Sequence, residues 1–470
     1  MKKNNFQIVV IGSGPGGALT ALNLLESGFD VLLIEKGNYY KTNELKNYSY
    51  KEMYEKYNYS GLTLAIGNPN INYVEGSCFG GGSEINSGLY HRLPENILNK
   101  WRAKYKLEYS NEKLNKIYTE IEKDLNISYQ NKNNIPKASL KLLEGSNKMG
   151  LDCIEIPRWI RHEKNKYIKQ SMTETYLKKY ILLGGKYITG SEVQNFNESN
   201  KIFYLNIIKQ NKIIKIRTNY LFICSGAIHS PFLLLKSGIK KKIGNTLKMH
   251  PSFKFIAKFN EEINFLNMGV PVHQIKSFKK ITIGCSISNK AYLGIGLSES
   301  GSLEEMRNWK KLASYYVMIS PKSYGKIHKI PLINSPIVRY SLNKKDIDRL
   351  YFGIKKLGEV LFKAGANTLY PSINSNLKIK SIREIDKIMD LSKRKLNLMT
   401  IHLFSSIRMG GIKEISATNP FGQLWDHKNI FINDSSILCD SPGVNPQGTI
   451  MAFAKYNVDN FIENNKINEI

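Results

Sequence analysis

Phe6-Gln-Ile-Val-Val-Ile11, Gly12-Ser-Gly14-Pro-Gly-Gly17, Ala18-Leu-Thr-Ala-Leu-Asn-Leu-Leu25 and Val31-Leu-Leu-Ile34-Glu35 follow one another near the start of the chain. The first run is apolar with no polar alternation, the pattern of a strand buried on both faces. A glycine turn comes next, then a helical run stopped by Gly28, then a second buried strand ending on Glu35. This order predicts a βαβ unit with G-x-G-x-x-G in the context of a dinucleotide site. Gly12 permits the tight turn, Gly14 lets the backbone approach a pyrophosphate, and Gly17 lets helix and strand pack closely. The helix start offers free N–H groups and a positive dipole end to phosphate. Glu35 is expected to hold a ribose hydroxyl pair and to repel a 2′-phosphate.

The chain runs to 470 residues, too long for one ordinary core, so two domains are expected. Its formal charge is +29, from 68 Lys and Arg against 39 Asp and Glu. The lysines are scattered, which reads as solvated charge and against a specific nucleic-acid site. A weak contact with an anionic membrane surface remains an expectation from the charge. Cys78, Cys153, Cys224, Cys285 and Cys439 lie far apart without metal-ligand spacing, so neither zinc nor an iron–sulfur cluster is expected. An odd, sparse set of cysteines suits a reducing compartment. No run approaches the roughly 18 apolar residues of a membrane span. The first apolar stretch leads into the glycine turn rather than to a cleavage site, and a cytoplasmic protein is expected.

Further along, 37–59 is polar and rich in tyrosine, and reads as a surface excursion over the nucleotide. Gly80-Gly81-Gly82-Ser83-Glu-Ile-Asn86 is a second glycine block, expected to continue as a helix. Its glycines leave room for a ligand on the backbone, and Ser83 and Asn86 offer polar contacts one helical turn apart. A helix is expected over 95–127, a linker at 131–136 and another helix from Met172. Strands at 186–189, 202–208 and 213–218 suggest an antiparallel excursion. Residues 219–238 read as a further strand–glycine–helix crossing back into the first sheet. A second domain is expected after 252, with an amphipathic helix over 346–364 stopped by Gly365. The last informative stretches are Thr400-Ile-His402 to Arg408-Met409-Gly410, Asn433-Asp434, and Gly443-Val-Asn445-Pro446-Gln-Gly-Thr449 before the final helix, expected over 453–462.

Taken together, 12–17 with Glu35, 80–90, 226–238, and 402–410 with 443–450 resemble the glucose–methanol–choline (GMC) flavoprotein oxidoreductases along nearly the whole chain. That resemblance implies an α/β fold: a doubly wound, Rossmann-like FAD-binding domain and a second α+β substrate domain with an antiparallel sheet. The division expected is 1–100, 165–255 and 400–470 for FAD, and 101–164 and 256–399 for substrate. The resemblance also implies FAD held by Gly12, Gly14, Gly17, Glu35, Gly81, Gly82, Ser83, Asn86, Asp434, Asn445 and Thr449. It carries the family's catalytic pair onto His402 and Asn445. Ile85 stands where some relatives carry a histidine linked to the flavin, so the FAD is expected to be non-covalent. Leu403 and Ser405 depart from the family pattern, which has Pro or Gln after the catalytic histidine and Gly two residues later.

The implied activity is oxidation of an alcohol, sugar or other polyol CH–OH to a carbonyl. An imidazole accepts a proton at neutral pH, which suits His402 to the hydroxyl proton. A neutral amide donor suits Asn445 to the substrate oxygen, while the same residue followed by Pro446 also fits a helix N-cap. His250 and His91 read as structural. The electron acceptor is expected to be oxygen, a quinone or a protein, because no second G-x-G-x-x-G follows a strand. Two other readings differ in kind: a non-redox, lyase-type flavoprotein, and a basic surface-binding protein with structural FAD.

Overall fold

In the computed structural model, which describes residues 4–465 apart from 43, 164, 165 and 267, Asn5–Ile11 is the middle strand of a parallel sheet. Ile8, Val9 and Val10 have no exposed surface, as the unbroken apolar run requires. The parallel order is Lys186–Ile188, Val31–Ile34, Asn5–Ile11, Lys212–Ile223 and Ile430–Ile432. Ser191–Ser199 and Ile202–Lys209 extend it as an antiparallel hairpin on the first half of Lys212–Ile223. Helices Pro15–Glu26, Tyr176–Leu182 and Gln447–Asn465 pack together over this sheet, and Phe453, Val458 and Phe461 enter its core.

A second, eleven-stranded sheet stands beside the first. Its centre is Ser252–Phe259, paired antiparallel with Leu312–Ile319 and Ala366–Pro371. The helix Lys344–Lys363 packs on the Leu312–Ile319 strand through Leu350, Ile354, Leu357 and Leu361. Asn343 caps that helix by accepting the Asp346 N–H. A doubly wound sheet plus a mostly antiparallel one is the expected fold class, but several boundaries differ.

Thr63–Ile66 and Ile71–Tyr73 belong to the large sheet, where Ile71–Tyr73 runs parallel to Leu398–Thr400. The expected division places 62–73 with the nucleotide part. In the other direction, Glu95–Tyr105 and Asn111–Asp124 were expected largely on the substrate side. They bury Trp101, Leu114, Ile117, Tyr118 and Ile121 in the core of the parallel sheet. These two helices replace the single one expected. Lys106 adopts a left-handed conformation that ends the first, and Ser110 caps the second. Lys186–Ile188 is a parallel edge strand rather than part of the antiparallel excursion. The helix of the second glycine block is only Gly82–Ile85, and the final helix starts at Gln447.

Candidate active site

Between the two sheets lies a cavity of about 740 Å³. On one wall, Gly12 has φ +100°, and a Cβ there would lie 2.4 Å from the Cys224 carbonyl oxygen. Glycine is therefore required twice over, by the turn and by the crossing strand. Gly14 differs: a Cβ there would meet nothing within 4 Å, because the residue faces the cavity. A Cβ on Gly17 would lie 1.9 Å from the Gly12 carbonyl oxygen, so Gly17 serves helix packing and does not line the cavity. The helix Pro15–Glu26 opens at Gly14 with no side-chain cap and no acidic residue in its first turn.

Glu35 holds this turn together. Its Oε2 accepts from the Ser13 N–H at 2.9 Å and the Ser13 hydroxyl at 2.7 Å, and Oε1 accepts from the Gly37 N–H at 2.8 Å. Burial, the largest influence, raises its carboxyl above the ordinary range. Ser13 also joins the two glycine blocks, since its hydroxyl accepts the Gly80 N–H at 3.0 Å. Sequence reasoning passed over this residue, because the variable position of a glycine fingerprint carries no motif signal. Gly81, Gly82 and Asn86 line the cavity. Asn86 donates to Gln447 Oε1 at 2.7 Å. Ser83 does not reach the cavity, because its hydroxyl donates to the Gly80 carbonyl at 2.7 Å and accepts the Met172 N–H at 3.0 Å. Thr449 is fully buried beside Ile450, which lines the cavity, and does not line it itself.

Asp434 lines the cavity, but its carboxylate serves the protein. Oδ2 accepts the Gly226 N–H at 2.8 Å and the Ser230 hydroxyl, and Oδ1 accepts the N–H and hydroxyl of Ser436. It thereby caps the helix Gly226–Lys236. These features fit a dinucleotide such as FAD. A side-chain-free turn and an uncapped helix start face the cavity for a pyrophosphate. Glu35 lies at the end of Val31–Ile34, and a second glycine-lined stretch stands beyond Gly14.

His402 and Asn445 meet on the same cavity. His402 lies just after Leu398–Thr400, and its backbone N–H donates to the Thr400 hydroxyl at 3.1 Å. Burial first, and the nearby Lys276 charge second, hold its imidazole down to about 4, so it is neutral at pH 7. Its Nδ1 is 3.2 Å from Nδ1 of His250, and Nε2 of His250 is 2.6 Å from the Ser441 hydroxyl. Burial also holds His250 well below its usual range, with the charges of His402 and Lys276 acting in the same direction. His250 is thus a direct partner of His402, which its isolated place in the sequence did not reveal. Asn445 accepts from Gln274 Nε2 at 3.5 Å, and the same Gln274 nitrogen donates to the Tyr316 hydroxyl at 2.9 Å. Gln274 and Tyr316 sit on strands of the large sheet that flank Ile281–Cys285, and they carry no motif of their own.

Among the described residues, no group of three or more His, Cys, Asp or Glu is placed to hold a metal ion, and no helix is long and apolar enough to cross a membrane. Two family models, both described as GMC oxidoreductase, match residues 29–252 and 325–454. An uncharacterized GMC-type oxidoreductase of Sinorhizobium fredii is 33% identical, over 95% of this chain and 92% of its own. A long-chain-alcohol oxidase of Arabidopsis thaliana is 25% identical over 95% of this chain and 67% of its own. Among solved structures, pyridoxine 4-oxidase from Mesorbium loti superposes with a TM-score of 0.74, covering 97% of this chain and 99% of that one at 15% identity. Formate oxidase of Aspergillus oryzae gives 0.77, with 99% of each chain covered at 13% identity. The glycine-lined cavity, the two-sheet fold and these matches lead to one conclusion: the chain belongs to the GMC oxidoreductase family of FAD-dependent flavoproteins.

Proposed function

We propose that this protein oxidises the CH–OH group of an alcohol to a carbonyl, with His402 as proton acceptor and Asn445 as the donor that holds the oxygen. The observation that carries this reading is the convergence of a neutral imidazole and an amide on one cavity with the glycine turns. When bound, FAD supplies the hydride acceptor. The chain's residues do the rest. The Nδ1 atoms of His402 and His250 share one proton between them. With that proton on His402, its Nε2 lone pair is free to take the hydroxyl proton. His250 then donates from Nε2 to Ser441. Asn445 accepts the Gln274 N–H on its oxygen, which leaves its NH₂ to donate to the developing alkoxide. Gly12, Gly14, Glu35, Gly81, Gly82, Asn86 and Asp434 are assigned to the FAD site. Gly17 supports it by packing, while Ser83 and Thr449 are left out.

Anaerobic flavin reduction at saturating alcohol tests the pair. His402→Ala is expected to retain FAD and lose about 10²–10⁴-fold in rate. Asn445→Ala is expected to lose about 10²–10³-fold. The double variant should lose less than the product, since both groups act on one oxygen. Reduction at the wild-type rate in a flavin-loaded His402→Ala overturns the assignment. Ile85 lines the cavity at the position of covalent attachment in some relatives and offers no nucleophile, so the FAD is proposed to be non-covalent. Acid precipitation should release it into solution; flavin retained in the pellet contradicts this. Electrons are proposed to leave to oxygen, a quinone or a protein, and stoichiometric NADH formation with substrate would refute that.

A further inference from the structure

The cavity wall built by the large sheet carries two opposite charges that the proposed oxidation does not use. Lys254 stands within the strand Ser252–Phe259, and Glu299 ends the helix Lys290–Glu299. Both line the cavity that holds His402 and Asn445. Among the described residues, the Lys254 ammonium has no hydrogen-bond or ion-pair partner. Glu299 uses Oε2 to accept the Ser372 hydroxyl at 2.5 Å, and its Oε1 has no hydrogen-bond partner among the described residues. Each charge favours the charged form of the other, yet the two do not close into an ion pair. Burial is the largest influence on both, lowering the Lys254 ammonium and raising the Glu299 carboxyl. Charges withdrawn from water and left unpaired are costly, so two of them facing one cavity call for a molecule that pairs both.

Lys254 follows His250 by four residues and lies inside the strand Ser252–Phe259, which His250 precedes, and His250 holds His402. The charges share the cavity with the proton acceptor, and neither hydrogen-bonds to His402 or His250. We propose that this wall of the cavity is a subsite for a dipolar head group: the substrate is an alcohol that also carries an anionic group, bound by Lys254, and a cationic group, bound by Glu299. The proposal rests on the alcohol-oxidising reading above. A plain alkyl chain would leave both charges unpaired, which is how a polar site rejects an apolar analogue. A substrate with only an anionic group would meet Lys254 but be repelled by Glu299.

The test uses the flavin-loaded protein and four series of alcohols matched in length: α-amino-ω-hydroxy acids, ω-hydroxy acids, ω-amino alcohols and n-alkanols. Anaerobic flavin reduction is expected to favour the dipolar series over the n-alkanols. Lys254→Met and Glu299→Gln should each cut the ratio of kcat/KM, dipolar over n-alkanol, by about 10- to 100-fold, the worth of one charge-assisted hydrogen bond. The loss should fall mainly in KM. Lys254→Gln replaces Lys254→Met if the latter does not load flavin. A second readout needs no turnover. The corresponding α-amino acids without the hydroxyl should perturb the bound flavin's absorption in wild type and in His402→Ala, but not in the Lys254 and Glu299 variants. Preference for n-alkanols or singly charged alcohols, or a ratio untouched by either substitution, overturns the subsite. If no alcohol reduces the flavin, the oxidation reading falls, and binding of the hydroxyl-free amino acids still decides the subsite.

Discussion

Ser405 shows at the residue scale how a departure from a family pattern is accommodated. The family's glycine at this position is replaced by a serine with φ +68°, in the left-handed region. Its side chain is fully buried, and its hydroxyl has no hydrogen-bond partner. Two costs therefore fall on one residue, a left-handed Cβ and an orphaned hydroxyl. Ser405→Gly removes both and is expected to stabilise the protein by roughly 1–2 kcal/mol. The check is the denaturation midpoint of the flavin-free proteins; a lower midpoint for the glycine variant contradicts the assignment. Because Ser405 follows His402 by three residues, the serine holds the catalytic segment in a backbone that glycine adopts more easily. Residue-scale reading also explains why Ser83 and Thr449, expected at the FAD site, do not line the cavity. Both have the right polarity and spacing, but hydrogen bonds to Gly80 and Met172 turn one away from the cavity, and core packing turns the other.

At the scale of the element, the glycine turn and its helix separate cofactor binding from folding. Gly14 has extended backbone angles that alanine tolerates, and a Cβ there would project into open cavity. Gly14→Ala is expected to fold with near wild-type stability and to lose most of its FAD. Gly17 has no such room, since a Cβ would overlap the Gly12 carbonyl oxygen at 1.9 Å. Gly17→Ala is expected to lose several kcal/mol of stability, as overpacking at a backbone contact does, and to yield little soluble protein. Comparing soluble yield, melting temperature and the flavin-to-protein absorbance ratio of the two variants checks this. Equal behaviour of the pair would mean that the two glycines do not divide the work. The helix Gly226–Lys236 follows another rule: its N-terminus is occupied by Asp434, so its first N–H serves the chain rather than a ligand.

Across the whole molecule, burial holds four of the eight histidines toward the neutral form. Burial is the largest influence holding His402 down to about 4 and His250, His91 and His273 below their usual range. A histidine of lowered folded-state value binds fewer protons than the unfolded chain between that value and about 6.5. The unfolded state therefore gains as pH falls through this window. Stability is expected to be complete above about pH 7 and to decline from about 6.5 toward 4, with His402 alone contributing roughly 3 kcal/mol of the loss. Urea midpoints measured across this range check the sign; a midpoint rising on acidification would contradict it. Much of the architecture was legible in the chain. The buried strands 6–11 and 31–34, their glycine turn, the crossing at 219–238 and the amphipathic helix near 346–364 are local patterns of period and punctuation, and local physics writes them directly into sequence. The nine residues found together on the cavity, from Gly12 to Asn445, were likewise reached from motifs. Only tertiary structure could decide which strands pair across long separations, sending 63–73 to the large sheet and 95–124 to the other core. It also decided that His250 faces His402, that Gln274 orients Asn445, and that Lys254 and Glu299 share one cavity. Those partners lie between 45 and 171 residues apart, and no periodicity or spacing spans such a distance. They are set by sheet register and by the closing of one core on the other.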